Sequence, residues 1–157
     1  MQVRAASRGD LLAIARVADA AYWDTYSGLL KPDTIARLLG RDYSPSSLRR
    51  RLLRGGVLVA TTADRLIGFV DVVREESFIR VTAISTEPGH RSVGVGGALV
   101  DEVRRSDPDL PLCADVVLGN LDGERFYEAL GFAPGEVINA SWFGEDVFER
   151  RWWLAPN

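Results

Sequence analysis

The sequence has one cysteine, Cys113, and one histidine, His90. A lone cysteine cannot pair within the chain, which excludes an internal disulfide framework and a cysteine-based zinc site; a reducing, cytoplasmic setting is expected. No run of about 18 apolar residues is present, so no membrane-spanning helix and no membrane partner are expected. The N-terminus MQVRAASRGD has no apolar signal core, and export is not expected. Excess positive charge is also missing. With 19 basic against 22 acidic residues and a formal charge of −3, nonspecific affinity for nucleic acid is not expected, and any phosphate binding must be local. Internal repeats, low-complexity segments and linkers are absent as well. The remainder is an ordinary globular composition, 46% hydrophobic and 26% charged over 157 residues, which predicts one folded domain, 1–157, with a sizeable core.

Periodicity orders the chain. Gln2 to Ala6 reads as a short strand, and Ser7 three positions before Asp10 reads as a helix entry. Leu11 to Ala21 has helical spacing. Between Gly28 and Pro32 on one side and this helix on the other stand Tyr22, Trp23 and Tyr26, which fit either a cap on the core or the wall of a substrate pocket. Pro32 and Pro45 each sit just inside a further predicted helix, Pro32 to Leu39 and Ser44 to Arg54. The run Arg49, Arg50, Arg51, Arg54 reads as a solvated helix face. From Val57 the period changes: Val57 to Thr61 and Leu66 to Val73 form a predicted hairpin, and Phe78 to Thr86 a third strand. Pro88 ends it. A helix over Gly96 to Arg105, a buried strand over Leu110 to Leu118, a short helix over Asn120 to Leu130 and two aromatic strands, Val137 to Phe143 and Val147 to Leu154, complete the chain.

The stretch Arg80 to Arg105 joins an apolar strand through a glycine-dense loop to an amphipathic helix. A helix starting at such a loop presents unpaired N–H groups and the positive end of its dipole, a seat for an anion. The phosphate-loop pattern G-x-x-x-x-G-K-[ST] fails, because Val95-Gly96 follow Gly94. A dinucleotide fingerprint starting at Gly94 fails too, because Leu99 stands where Gly or Ala is needed. The pattern R-x-x-G-x-G is satisfied by Arg91-Ser92-Val93-Gly94-Val95-Gly96.

That loop, approached through Ile84-x-Thr86-x-Pro88-x-x-Arg91, resembles the acetyl-CoA loop of the GNAT family of N-acetyltransferases. About twenty-four residues on, Asn120-x-x-Gly123-x-x-Phe126-Tyr127-Glu128-x-x-Gly131-Phe132 resembles the family's second motif, with Gly123 in place of the usual alanine and, in the first, Ser92 in place of the usual glycine. The resemblance covers Phe69 to Phe132 most closely. It implies an α/β (α+β type) fold, a mixed six- or seven-stranded sheet with a splayed cleft and flanking helices. In that fold the strands around Ile84 and Val116 diverge and admit pantetheine, pairing with backbone of Ile84, Ser85 and Thr86. The resemblance further implies that N–H groups from Arg91 through Ser92, Val93, Gly94, Val95 and Gly96 receive the pyrophosphate, and that Asn120, Gly123, Phe126 and Tyr127 complete the donor side. Asn120 can cap its helix or contact pantetheine.

The implied reaction is transfer of an acetyl group from acetyl-CoA to a primary amine of a small molecule or peptide by direct attack, without a metal. Tyr127 matches the general acid that protonates the departing thiolate. The position of the family's glutamate base holds Phe78, which leaves Glu76, with Glu75 and Asp71, as nearby substitutes. His90, beside the phosphate loop, is expected to serve that loop rather than catalysis, and Cys113 to be a buried core residue. Acceptor walls are expected from Tyr22, Trp23 and Tyr26, with Trp142 and Phe143. A homodimer through Trp152 and Trp153 in the C-terminal hairpin, or burial of both within the monomer, remains open. A noncatalytic acyl-CoA-binding or regulatory domain is the alternative function.

Overall fold

The computed structural model describes residues 1–91 and 94–157. One seven-stranded sheet forms from β1 (Gln2–Ala5), β2 (Val57–Thr62), β3 (Arg65–Arg74), β4 (Ile79–Thr86), β5 (Leu112–Val117), β6 (Ala133–Trp142) and β7 (Glu145–Leu154), in the order β1-β2-β3-β4-β5-β7-β6. Neighbours are antiparallel except β4 and β5, which run parallel. The mixed sheet with flanking helices matches the fold expected from the sequence. None of the described helices is long and apolar enough to cross a membrane.

Helices cover both faces. On one, α4 (Val95–Ser106) and α5 (Leu121–Ala129) bury Leu99, Val100, Val103 and Tyr127 against Val70, Val81, Ala114 and Trp152. On the other lie α1 (Leu11–Tyr26), α2 (Pro32–Asp42) and α3 (Pro45–Arg54), whose Ile14, Val17 and Leu48 pack on Val59 and Phe69. Pro32 and Pro45 each open their helix, where a missing N–H costs nothing. Gly68 on β3 sets how closely α4 lies on the sheet. A Cβ there would stand 2.9 Å from Val95 Cγ1 and 3.1 Å from the Ser85 carbonyl.

Pairing of β4 with β5 is short. It joins Ile79 to Leu112, Arg80 to Cys113 and Val81 to Ala114, and then stops. On the other side of β4 the register to β3 slips at the same point: Asp71 faces Ala83 while Val72 faces Val81. Thr82 is thus a bulge, its hydroxyl donating to the Asp71 carbonyl at 3.0 Å. A bulge bends its strand and raises local twist, which turns β4 away from β5 and opens the sheet from Thr82 onward.

Three sequence expectations are corrected. The first helix does not stop near Ala21; it runs to Tyr26, ending where Gly28 takes φ +88, so Tyr22, Trp23 and Tyr26 share one helix end. The arginine run is not simply a solvated face: Arg51 Nε donates to Asp71 Oδ2 at 2.7 Å, Arg54 pairs with the other oxygen, and the Arg51 guanidinium lies over Tyr43. Asp71 is accordingly no edge residue and no free base. It is 2% exposed and both its oxygens are held.

Removing one partner of a buried pair leaves an uncompensated charge. Asp71→Ala is expected to lower unfolding free energy in urea by about 3–5 kcal/mol, with Arg54→Ala costing less because that side chain is more exposed.

Candidate active site

Divergence of β4 and β5 leaves a cleft of about 640 Å³. Its walls are Val81 to Thr86 of β4, Asp115 and Val116 of β5, the first turn of α4, Asn120, Gly123, Phe126 and Tyr127 around α5, and Tyr22, Thr25 and Tyr26 of α1. Both sequence motifs therefore reach one space.

The loop end carries the open N-terminus of α4. Gly94 caps α4 with φ +84, a conformation side chains disfavour. The first helical bond runs from Ala98 N–H to the Gly94 carbonyl at 3.0 Å, which leaves the N–H groups of Val95, Gly96 and Gly97 without intrahelical partners at the cleft. Gly96 serves packing as well as access, since a Cβ on it would lie 2.6 Å from the Phe126 ring. Arg91 and His90 also line this end. The Arg91 guanidinium is paired with Asp24 and stands 3.3 Å from Thr25 Oγ1, both on α1. His90 Nδ1 is buried 3.0 Å from Glu87 Oε2 but out of hydrogen-bond alignment. Ser92 and Val93, also expected in the loop, lie outside the described residues.

Glu87 anchors the loop's approach. Burial pushes its carboxyl up, but hydrogen bonds from Arg16 and Arg65 outweigh burial and hold it below the usual range.

Asn120 caps α5: its Oδ1 accepts from Gly123 N–H at 3.0 Å. A Cβ on Gly123 would stand 2.5 Å from Asn120 Nδ2, so glycine in place of the family's alanine has a local cause in this cap. Tyr127 is buried between Phe126 and Phe132, edge-on to both at 5.0 and 4.9 Å. Burial pushes its phenol well above the ordinary range, with Tyr26 and Asp115 adding to the effect. No side-chain hydrogen bond engages it among the described residues. It is a neutral O–H donor facing the cleft.

Of the expected acceptor walls, Tyr22 and Tyr26 line the cleft. They are core residues at the same time: their rings meet edge-on at 5.3 Å, and Tyr22 and Tyr43 hydroxyls are 3.3 Å apart. Trp23 and Trp142 are not among the lining residues; with Tyr22 and Tyr26 they pack against a side cluster of Leu30, Ile35, Val117 and Val147. Phe143 is exposed at the β6–β7 turn beneath Arg41. Cys113 is buried, and burial raises its thiol. Trp152 is buried in the core and Trp153 meets Phe78 edge-on.

Glu76 does not reach the cleft. It sits with Glu75 on the exposed β3–β4 turn, where Glu75 N–H bonds the Phe78 carbonyl at 2.9 Å. Strands β4 and β5 are still paired at that end, so the turn lies beyond the closed part of the sheet. The carboxylates near the opening are others. Asp115 lines the cleft and takes two hydrogen bonds from Arg151, 2.8 and 3.0 Å, and Glu149 lies one pleat along on β7. Neither is among the site residues expected from the sequence. The available signals were the single charge inside Leu110 to Leu118 and the period-two spacing of Glu149 and Arg151 in the last strand.

Residues 54–134, just over half of the chain and including both motifs, match the family model described as acetyltransferase (GNAT) domain. The chain belongs to the GNAT acetyltransferase family. Solved structures agree on the fold of this GNAT protein. A GCN5-related N-acetyltransferase from Rhodopseudomonas palustris superposes with TM-score 0.82 at 16% identity, covering 98% of this chain and 94% of that one. The PaiA N-acetyltransferase of Thermoplasma acidophilum, solved in complex with coenzyme A, gives 0.79 at 22% identity over 95% and 96%. The ribosomal-protein-S18-alanine N-acetyltransferase of Escherichia coli gives 0.73 at 15% over 98% and 92%. No curated protein sequence matches.

The Gly96–Phe126 contact predicts a coupled pair. Gly96→Ala is expected to destabilise the protein by about 1–3 kcal/mol through overpacking. Combining it with Phe126→Leu should recover part of that loss in a double-mutant cycle measured by urea unfolding.

Proposed function

We propose that this GNAT protein is an acetyl-CoA-dependent N-acetyltransferase acting on a primary amine of a small molecule or peptide. The observation that carries the reading is the meeting, in one cleft, of the unpaired start of α4, the unpaired half of β4 and the phenol of Tyr127. The residues fit coenzyme A. Three free N–H groups and the α4 dipole suit a pyrophosphate, and Gly94 leaves the approach open. The free edge of β4 from Thr82 to Thr86 suits the amides of pantetheine, as an added strand suits an open sheet edge. The coenzyme A complex of the PaiA relative supports this reading by analogy of fold.

When bound, acetyl-CoA supplies a thioester whose thiolate is a good leaving group once protonated. Tyr127 holds a proton at its hydroxyl throughout the neutral range, because burial opposes the phenolate. Placed beside the sulfur, it is a general acid. The apolar neighbours Phe126, Phe132 and Val116 limit water near that hydroxyl and strengthen the interaction. Tyr22 and Tyr26 close the opposite side and leave the acceptor face of the sheet as the entry for the amine.

Native mass spectrometry of the purified protein mixed with acetyl-CoA should show one bound molecule. Gly94→Glu should abolish that adduct while circular dichroism and thermal unfolding report a folded chain; retention of the adduct would place the donor elsewhere. With an amine panel and thiol release as the readout, Tyr127→Phe is expected to lower kcat by about 100-fold with acetyl-CoA affinity unchanged. Binding without turnover of any amine would instead favour a noncatalytic acyl-CoA-binding domain.

A further inference from the structure

An ammonium has no lone pair, so the acceptor must lose a proton before its nitrogen can attack. Asp71, Glu75 and Glu76 do not reach the cleft, and the Asp115 carboxylate is engaged on both oxygens by Arg151. Glu149 differs from them. It is not itself among the residues that line the cleft, but it faces Val117 across β7 and β5, one pleat beyond the Asp115–Arg151 pair, and shares a sheet face with Asp115, which does line the cleft. Val147, two residues back on that face, packs with Val117 and Tyr26. Among the described residues no hydrogen bond or ion pair engages the Glu149 carboxylate, although the residue is half-buried.

We propose that Glu149 receives the acceptor as its ammonium and takes the proton whose loss frees the nitrogen to attack. The inference rests on the acetyltransferase reading above and adds the base and the charge state of the acceptor.

The surroundings suit that role. Burial, reinforced by Asp115, pushes the Glu149 carboxyl up to about 7, with Arg151 opposing. Among the described residues, the charged and titratable groups that act on it or that it acts on are Asp115 from β5, Arg151 from β7 and Tyr26 from α1. On β6 the opposing position is Ile138, and Arg150 points to the other face, donating to the Gly135 carbonyl. Tyr26, its own phenol raised to about 12 by burial, lies within electrostatic reach of both Glu149 and Tyr127.

The step balances. Glu149 takes one proton from R–NH3+ and later releases it to solvent. The freed nitrogen forms a C–N bond to the acetyl carbon as the C–S bond breaks with its electron pair on sulfur. Tyr127 gives that sulfur a proton and regains one from the nitrogen, leaving a neutral amide and coenzyme A thiol.

The aromatic walls Tyr22 and Tyr26 make 2-phenylethylamine a suitable probe, with 2-phenylethanol as its uncharged control. Carbon-13 NMR of the coenzyme A-loaded protein labelled at glutamate carboxyls, with Glu149→Gln to assign the signal, is expected to show Glu149 titrating near 7. Adding the amine should move that midpoint down, because an adjacent cation favours the carboxylate, whereas the alcohol should not. A Glu149 signal that ignores the amine overturns the proposal, whatever the turnover. In kinetics, wild-type kcat/KM should rise with pH and level off above about 7, as the carboxyl becomes able to accept a proton. Glu149→Gln should fall about 100-fold at neutral pH and lose that plateau, its rate climbing instead with the free amine. Unchanged acetyl-CoA affinity in the variant would exclude misfolding, and a variant with the wild-type profile overturns the proposal. If no amine turns over while the NMR shift with amine is seen, the transfer reading fails and the ammonium site stands.

Discussion

Loss of pairing between β4 and β5 beyond Val81 and Ala114 is the constraint on which the rest of the molecule depends. A sheet interior with unpaired backbone on facing strands would ordinarily be costly, because buried N–H and C=O groups need partners. Here the Thr82 bulge bends β4 away, and water or ligand can reach the exposed edges. Everything around the opening maintains it. The helix α4 lies close over β3 through Gly68, α5 is held by the Asn120 cap, and α1 closes the opposite side with Tyr22 and Tyr26.

Polar groups around the opening divide into those already engaged and those left available. Asp71, Glu87 and Asp115 are each held by arginine side chains, and their work is to fix α3, the approach to the loop and the β5–β7 pair. Tyr127 and Glu149 have no such partner among the described residues. Burial keeps the Tyr127 phenol protonated and the Glu149 carboxyl weakly acidic, and Tyr26 lies within electrostatic reach of both. Their environments move both groups in the same direction, yet the outcomes differ, because the phenol starts far above neutrality and the carboxyl far below it.

Much of the α4 and α5 side of the cleft was legible in the chain. Glycine and proline punctuation located the α4 loop and the entries to α2 and α3, and period changes located all seven strands to within a few residues. These signals are local: a left-handed backbone at Gly94 or a capping side chain at Asn120 depends on a handful of neighbouring residues. The α1 side was less legible. Tyr22, Trp23 and Tyr26 lie close in sequence and all pack against the side cluster of Leu30, Ile35 and Val147, but helical phase brings Tyr22 and Tyr26, and not Trp23, to the cleft as well. Without the helix reaching Tyr26, that phase could not be assigned.

The sequence by itself determined the order of elements, the glycine-led start of α4 and the chain's family, because these rest on short-range spacing and on motifs contiguous in the chain. Only the tertiary structure decided which carboxylate is available. Glu76 is near β4 in sequence but beyond the closed end of the sheet; Glu149 is 22 residues past Tyr127 in the chain and comes to lie one pleat from Asp115 because β7 inserts beside β5. Strand order and salt-bridge occupancy are non-local, set by which partners arrive from distant segments, and no window of sequence contains them.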